Sequence, residues 1–263
     1  MHHWLRWLVR LLVGALGSCF FLFLGIPLVA LLIYESPDAI WAVLQEPETL
    51  QAIQISVVTT CVSTLLTVLF GLPVAYVLAR LHFRGRMLLD TLVTLPTVLP
   101  PVVAGIALLL AFGRMGLVGR YLNMLGITIP FTTLAVIMAQ IFVASPFFVN
   151  SARAGLEQLD SNYEEAAYTQ GASPLYAFFH IVLPLIRPAL FTGVGLAWAR
   201  ALGEFGATIT FAGNFPGVTQ TLPIAVYIAS ESNLNRAIAI ALVLLAVSFG
   251  VLLALRIKRK GNP

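Results

Sequence analysis

Apolar residues run through this chain in long blocks rather than alternating at a short period. Six blocks are long enough for a helix across a bilayer core, which takes about 20 residues. They lie at about Leu8–Tyr34, Leu50–Ala79, Thr91–Gly113, Pro130–Asn150, Pro188–Phe211 and Ala237–Leu255. Arg200 and Glu204 interrupt the fifth. Two shorter apolar stretches, Gly116–Gly126 and Leu222–Ser230, are expected to form interfacial or re-entrant helices. No connection is long enough for a separate soluble domain. Residues 1–263 therefore read as one all-α, polytopic domain of about six transmembrane helices.

Composition supports this reading. Hydrophobic residues make up 59% of the chain and charged residues 10%, against about 25% charged in a soluble domain. The first block is uncharged from Leu11 to Tyr34. That exceeds the roughly 7–15 residues of a cleaved signal core, so it is expected to be a retained span. Cys19 and Cys61 lie inside apolar blocks without metal-ligand spacing and are expected as small packing residues. His2 and His3 form a terminal pair expected to be disordered, and no metal site is expected.

The net charge of +4 does not point to nucleic acid, because the basic residues sit between apolar blocks. With both termini cytoplasmic, Arg6, Arg10, Arg80, Arg84, Arg86, Arg153, Arg187, Arg256, Lys258, Arg259 and Lys260 all fall on the cytoplasmic side. Arg114, Arg120 and Arg236 fall outside. The bias follows the positive-inside rule. The first outer loop is acidic, with Glu35, Asp38, Glu46 and Glu48.

The largest cytoplasmic connection runs from about Ser151 to Arg187. Within it, Ser161 and Glu164 have capping-box spacing, and Gly171 can end a helix in a left-handed conformation. Ser173 offers a second N-cap, with Pro174 at the first helical position, and Pro184 discourages continuation. An ordinary capped loop would look the same piece by piece. The whole segment, however, has Glu165-Ala166-Ala167, then Gly171, then Ile181, Leu183 and Pro184 at fixed spacing. It resembles the EAA motif of ABC importer permeases.

The resemblance implies a type I ABC importer permease fold, with a coupling helix in a loop at about residues 152–187. It implies that Glu165, Ala166, Ala167, Gly171, Ile181, Leu183 and Pro184 couple to an ATPase subunit. The chain has no Gly-x4-Gly-Lys-Ser/Thr phosphate loop, so it is not expected to be the ATPase. ATP and Mg would be bound by that partner, and no cofactor is expected in this chain. The implied partners are two ATPase copies, a second copy of this permease, a solute-binding protein and the lipid of a bacterial-type inner membrane. A membrane anchor for electron transfer would need haem-ligand histidines within spans, but His82 and His180 fall in loops. A channel would need a filter-like loop, and none is apparent.

The segment from Ala199 to Gly217, followed by Thr219-Gln220-Thr221-Leu222-Pro223, resembles molybdate/tungstate permeases. Sulfate permeases are similar up to Gly206 and then diverge, which leaves sulfate or thiosulfate as the alternative. Thr91–Gly105 is similar to the third span of the same oxyanion group. The resemblance covers about residues 50–255. Arg200 and Glu204 are four apart, on one helix face. Gly193, Ala197, Ala201 and Ala207 lie near that face and suit close packing across a dimer axis. The charges are candidates for the translocation pathway, either as an ion pair holding the bundle or with Arg200 attracting a dianion. Pro96, Pro100 and Pro101 are expected to kink the third span, as a pathway hinge or passively.

Overall fold

Hydrocarbon offers no partner for a backbone N–H or C=O, so a spanning chain must satisfy these groups within itself. The computed structural model describes the backbone of residues 2–260 and the side chains of residue 7 and residues 9–254. The His2–His3 side chains and those of Arg6, Arg256, Lys258, Arg259 and Lys260 lie outside the described residues, while the backbone is already helical at His2. Every regular element among the described residues is helical. In order they are α1 (His2–Tyr34), α2 (Pro37–Leu44), α3 (Pro47–Arg80), α4 (Arg86–Val98), α5 (Pro101–Phe112), α6 (Gly119–Met124) and α7 (Thr133–Gln158). There follow α8 (Asn162–Thr169), α9 (Pro174–Ala177), a π-helical segment (Phe178–Val182), α10 (Leu183–Leu185) and α11 (Arg187–Leu202). Last come α12 (Gly206–Ala212), α13 (Leu222–Ser232) and α14 (Leu234–Lys260).

Among the described residues, four helices are long and apolar enough to cross a membrane unbroken: Val9–Tyr34, Pro47–Arg80, Thr133–Gln158 and Leu234–Ala254. The third and fifth expected spans are each broken in two. In the third, Leu99 and Pro100 are extended, with ψ of 133° and 135°. A residue before proline is pushed out of the helical region, and here two successive residues precede one. The expected kink is therefore a full break. In the fifth, α11 stops at Leu202 and α12 starts at Gly206. The two short apolar stretches are helical, as α6 and α13.

Helix α7 is the axis of the core. Its N-terminal half, including Ala135, Ala139 and Val143, packs with Ala104 and Leu108 of α5 and with Ala207 and Phe211 of α12. Its other half, including Ala144, Phe148, Ala152 and Leu156, packs with Ala75 and Leu78 of α3 and with Ala197 and Ala201 of α11. The small residues near Arg200 are thus buried inside one chain rather than lying across a dimer axis. A Cβ on Gly193, for example, would meet Ser151 Cβ at 3.0 Å. Cys19 and Cys61 are both exposed, so neither is the packing residue expected.

The α3 face toward the core is polar: Ser56, Thr59, Thr60, Ser63, Thr64 and Thr67 are all buried. Two of these hydroxyls satisfy themselves along the helix, Thr59 Oγ1 on Ile55 O at 2.8 Å and Ser63 Oγ on Thr60 O at 3.0 Å, while Thr64 Oγ1 and Thr67 Oγ1 have no partner among the described residues. Ser56 Oγ instead accepts from Leu222 N at 2.7 Å, fixing the start of α13. By contrast α1 buries none of its apolar window and touches the bundle chiefly along α14.

Helices α5 and α12 approach most closely at two glycines. A Cβ on Gly105 would lie 2.6 Å from Thr210 Cβ and 2.9 Å from Ala207 O. Gly105→Ala should therefore cost about 1–3 kcal/mol through overpacking and lower the apparent unfolding temperature in detergent. Gly25→Ala, where nothing lies within 4 Å of the added Cβ, should leave it within about a degree or two.

Candidate functional site

The motif loop folds as helix, tight turn, helix. Gly171 takes φ of +85°. The N–H of Gly171 donates to Tyr168 O at 3.0 Å and that of Ala172 to Ala167 O at 3.0 Å, the paired bonds of a Schellman ending. Ser173 Oγ accepts from Tyr176 N at 3.3 Å, with Pro174 at the first helical position. The expected capping box is absent, because Ser161 makes no side-chain cap. Asp160 Oδ1 instead accepts from Asn162 N at 3.0 Å. Glu164 turns to the bundle, where tertiary partners outcompete the local one.

Pro184 does not end its helix either. The ladder shifts register just before it, with Leu183 N donating to Phe178 O in a π-helical turn. Pro184 then sits in the first turn of α10, where a missing N–H costs little. The chain bends at Ile186, and the segments Pro174–Leu185 and Arg187–Leu202 meet at 74°.

The motif residues divide by exposure. Glu165, Ala166 and Gly171 are exposed, and Ala167 is buried. Ala166, Ala167, Gly171 and Ile181 line an open groove of about 670 Å³ with Tyr163 and Tyr176. Leu183 is half-buried against the α3–α7–α11 core, and Pro184 is half-buried beside it in α10.

Sequence reasoning missed the ion clusters that tie the helix ends together. At the motif end, Arg153 pairs with Asp90 at 2.6 Å and Glu157 at 2.8 Å, while Arg86 reaches Glu157 at 3.3 Å. These join α4 to α7. Arg80 pairs with Glu164 at 2.8 Å. At the opposite end, Arg236 of α14 pairs with Glu46 at 2.8 Å and Glu48 at 3.0 Å. The acidic loop expected outside thus meets one of the few arginines expected on the same side. Arg153 and Glu157 are four apart on one helix face, but no spacing along the chain announces the other, long-range pairs.

The pathway candidates gather where the two broken spans meet. Pro96 is buried in α4, one turn before the break, while Pro100 and Pro101 are exposed at the start of α5. A Cβ on Gly206 would lie 2.7 Å from Pro101 Cβ, so the starts of α5 and α12 touch. Arg200 Nη2 lies 2.7 Å from Glu204 Oε2, although Glu204 is outside α11 and not on a continuous helix face. The other oxygen, Glu204 Oε1, accepts from Ala207 N at 2.8 Å and so caps α12. One carboxylate therefore satisfies the cation and the restarted helix together.

The pair is asymmetric, since the Arg200 side chain is 27% exposed and that of Glu204 1%. Arg200→Gln strands a buried carboxylate and should cost about 3–5 kcal/mol. Glu204→Gln leaves a partly exposed cation and keeps an acceptor for Ala207, so its cost should be smaller. The double variant should be more stable than Arg200→Gln by thermal unfolding and should still transport. A stable double variant that fails to transport would assign Arg200 to the solute.

The sequence matches the family model for the inner membrane component of binding-protein-dependent transport systems over residues 68–259. It is 46% identical to the molybdenum transport system permease protein ModB of Mycobacterium tuberculosis, over 88% of both chains. It is 37% identical to the sulfate transport system permease protein CysT of Salmonella typhimurium, over 89% of this chain and 86% of that one. Among solved structures, a bacterial ABC transporter involved in the import of the acidic polysaccharide alginate superposes with a TM-score of 0.77 at 17% identity. The match covers 97% of this chain and 96% of that one, and it shows the shared fold. The chain accordingly belongs to the family of inner membrane components of binding-protein-dependent transport systems, as a multi-pass ABC importer permease.

Proposed function

We propose that this permease carries molybdate and tungstate, received from a solute-binding protein and driven by a separate ATPase. The observation that carries the reading is the segment from Ala199 to Pro223, similar to molybdate-type permeases beyond Gly206, together with 46% identity to ModB against 37% to CysT. The electrostatics suit a dianion. Glu204 is the one carboxylate deep within the expected spans, and it is buried and paired with Arg200. Little fixed negative charge therefore opposes an anion at the breaks. Sulfate would meet the same field, so the choice rests on sequence similarity.

The exposed face of α8 with Gly171 and the groove beside Ile181 forms the ATPase-docking surface in this reading. Two permeases and two ATPases assemble around one pathway, and ATP and Mg belong to the ATPase. The breaks at Pro100–Pro101 and Gly203–Phe205 line that pathway, with Pro96 and Arg200 beside them. Both termini and the Gly171 loop are cytoplasmic. Sulfate or thiosulfate transport is the second reading, favoured by the CysT similarity.

The test is uptake of trace labelled molybdate by the complete system, challenged by excess tungstate or excess sulfate. Tungstate should compete strongly and sulfate weakly; equal competition would overturn the molybdate reading and leave the ABC permease. For topology, Ser173→Cys and Ser36→Cys in a background lacking Cys19 and Cys61 should separate the two sides. An impermeant thiol reagent should label Ser36→Cys in intact cells and Ser173→Cys only after permeabilisation.

A further inference from the structure

Two adjacent glutamates on α8 face opposite ways. Glu165 is exposed, whereas Glu164 is buried against the bundle. Glu164 Oε1 lies 2.8 Å from Arg80 Nη2, and its Oε2 accepts from the Tyr76 hydroxyl at 3.3 Å. The same Arg80 Nη2 donates to the carbonyl of Leu159, which caps the end of α7, at 3.2 Å. The Tyr76 ring meets Phe178 of the π-helical segment edge-on, with centroids 5.3 Å apart. One guanidinium therefore joins the last residue of α3, the end of α7 and the first turn of α8, and one phenol adds the helix that follows.

The covalent route from α7 to α8 is only Leu159–Ser161, and none runs directly from α3 to α8. A short connection of this kind is a pivot unless something braces it. The brace here is well shielded: the Arg80 and Glu164 side chains are 17% and 10% exposed. Solvent screens such a pair weakly, and removing one partner strands the other. Beyond the brace, α7 packs on α11, α5 and α12 through both halves of the core.

We propose that Glu164 is a positioning residue that, through Arg80 and Tyr76, makes α8 move as one body with α3 and α7. Displacement imposed on the exposed Glu165–Ala166 face then reaches the membrane helices instead of dissipating by pivoting at residues 159–161. The proposal rests on reading α8 as the ATPase-docking element. It separates two tasks on neighbouring side chains, with Glu165 turned toward the docked protein and Glu164 turned toward the bundle.

The experiment uses the full complex in proteoliposomes. Anion uptake and ATP hydrolysis are measured together for wild type, Glu164→Gln, Arg80→Gln and the exchanged pair Arg80→Glu/Glu164→Arg. The anion is whichever of molybdate or sulfate the competition assay shows to be carried. Glu164→Gln should retain the ATPase and lower uptake per ATP hydrolysed about tenfold, and the exchanged pair should restore at least about threefold of that loss. An unchanged ratio, or uptake and hydrolysis falling in proportion, would overturn the proposal. Should the charge variants not assemble, Tyr76→Phe removes only the phenolic donor. It should lower the ratio about twofold to threefold, and an unchanged ratio there would equally overturn the brace. Gly171→Asp, run in parallel, tests the docking reading separately. Loss of bound ATPase supports it, and full ATPase retention with normal uptake would sink docking whatever Glu164 does.

Discussion

A helix that stops inside a bilayer leaves backbone donors and acceptors without water, and two of the expected spans here stop partway. The structure tolerates this because the stops are brought together. The N-terminal turn of α12 lies against Pro101 at the start of α5, through a glycine that has no Cβ to hold the backbones apart. Proline at the start of α5 removes donors that would otherwise need partners. Glu204 supplies an acceptor to α12 and is itself neutralised by Arg200. Removing Arg200 would leave the buried Glu204 carboxylate stranded, at a cost of several kcal/mol. The packing of α5 and α12 on α7 follows from this junction, since neither half-helix is long enough to be anchored otherwise.

Charge at the two ends has a second use beyond orientation. Arg80, Arg86 and Arg153 belong to the basic set expected on the cytoplasmic side, and each is paired with a carboxylate from another element or the next turn. Arg236 at the opposite end is held by two glutamates. The same residues that bias insertion therefore also fasten helix ends to one another. Apart from the shielded Arg80–Glu164 pair, these sites are partly exposed and each pair contributes modestly to stability. Their geometric effect is larger, since they fix which ends move together.

The motif loop was legible where the signal was local. Gly171 needs a left-handed conformation, and Ser173 followed by Pro174 is a capping arrangement contained in adjacent residues; both are present as expected. The Ser161–Glu164 cap failed because Glu164 has a stronger partner in Arg80, far away along the chain. The span pattern was legible as six apolar blocks, but hydropathy does not register where a helix breaks inside a block. Successive prolines at 100 and 101 carry that signal for the third span, where the sequence predicts a kink and the structure has a full break. Small residues near Arg200 signal close approach, and the structure has it, yet sequence does not say whether the neighbour is the same chain or another.

The polar face of α3 has a consequence for how the protein is made. A chain enters the membrane N-terminus first, and α3 is complete roughly 80 residues before α7 ends. At typical elongation rates that interval is on the order of 4–16 s. During it, the threonines and serines destined for the core have lipid beside them instead of α7. Hydroxyls that donate back to the carbonyl three or four residues earlier, as at Thr59 and Ser63, carry their own partner with them. A face built from carboxamides or carboxylates would have no such provision. At Thr59 and Ser63, then, the hydroxyl lets α3 meet lipid without an unpaired donor before it docks as half of a close-packed pair.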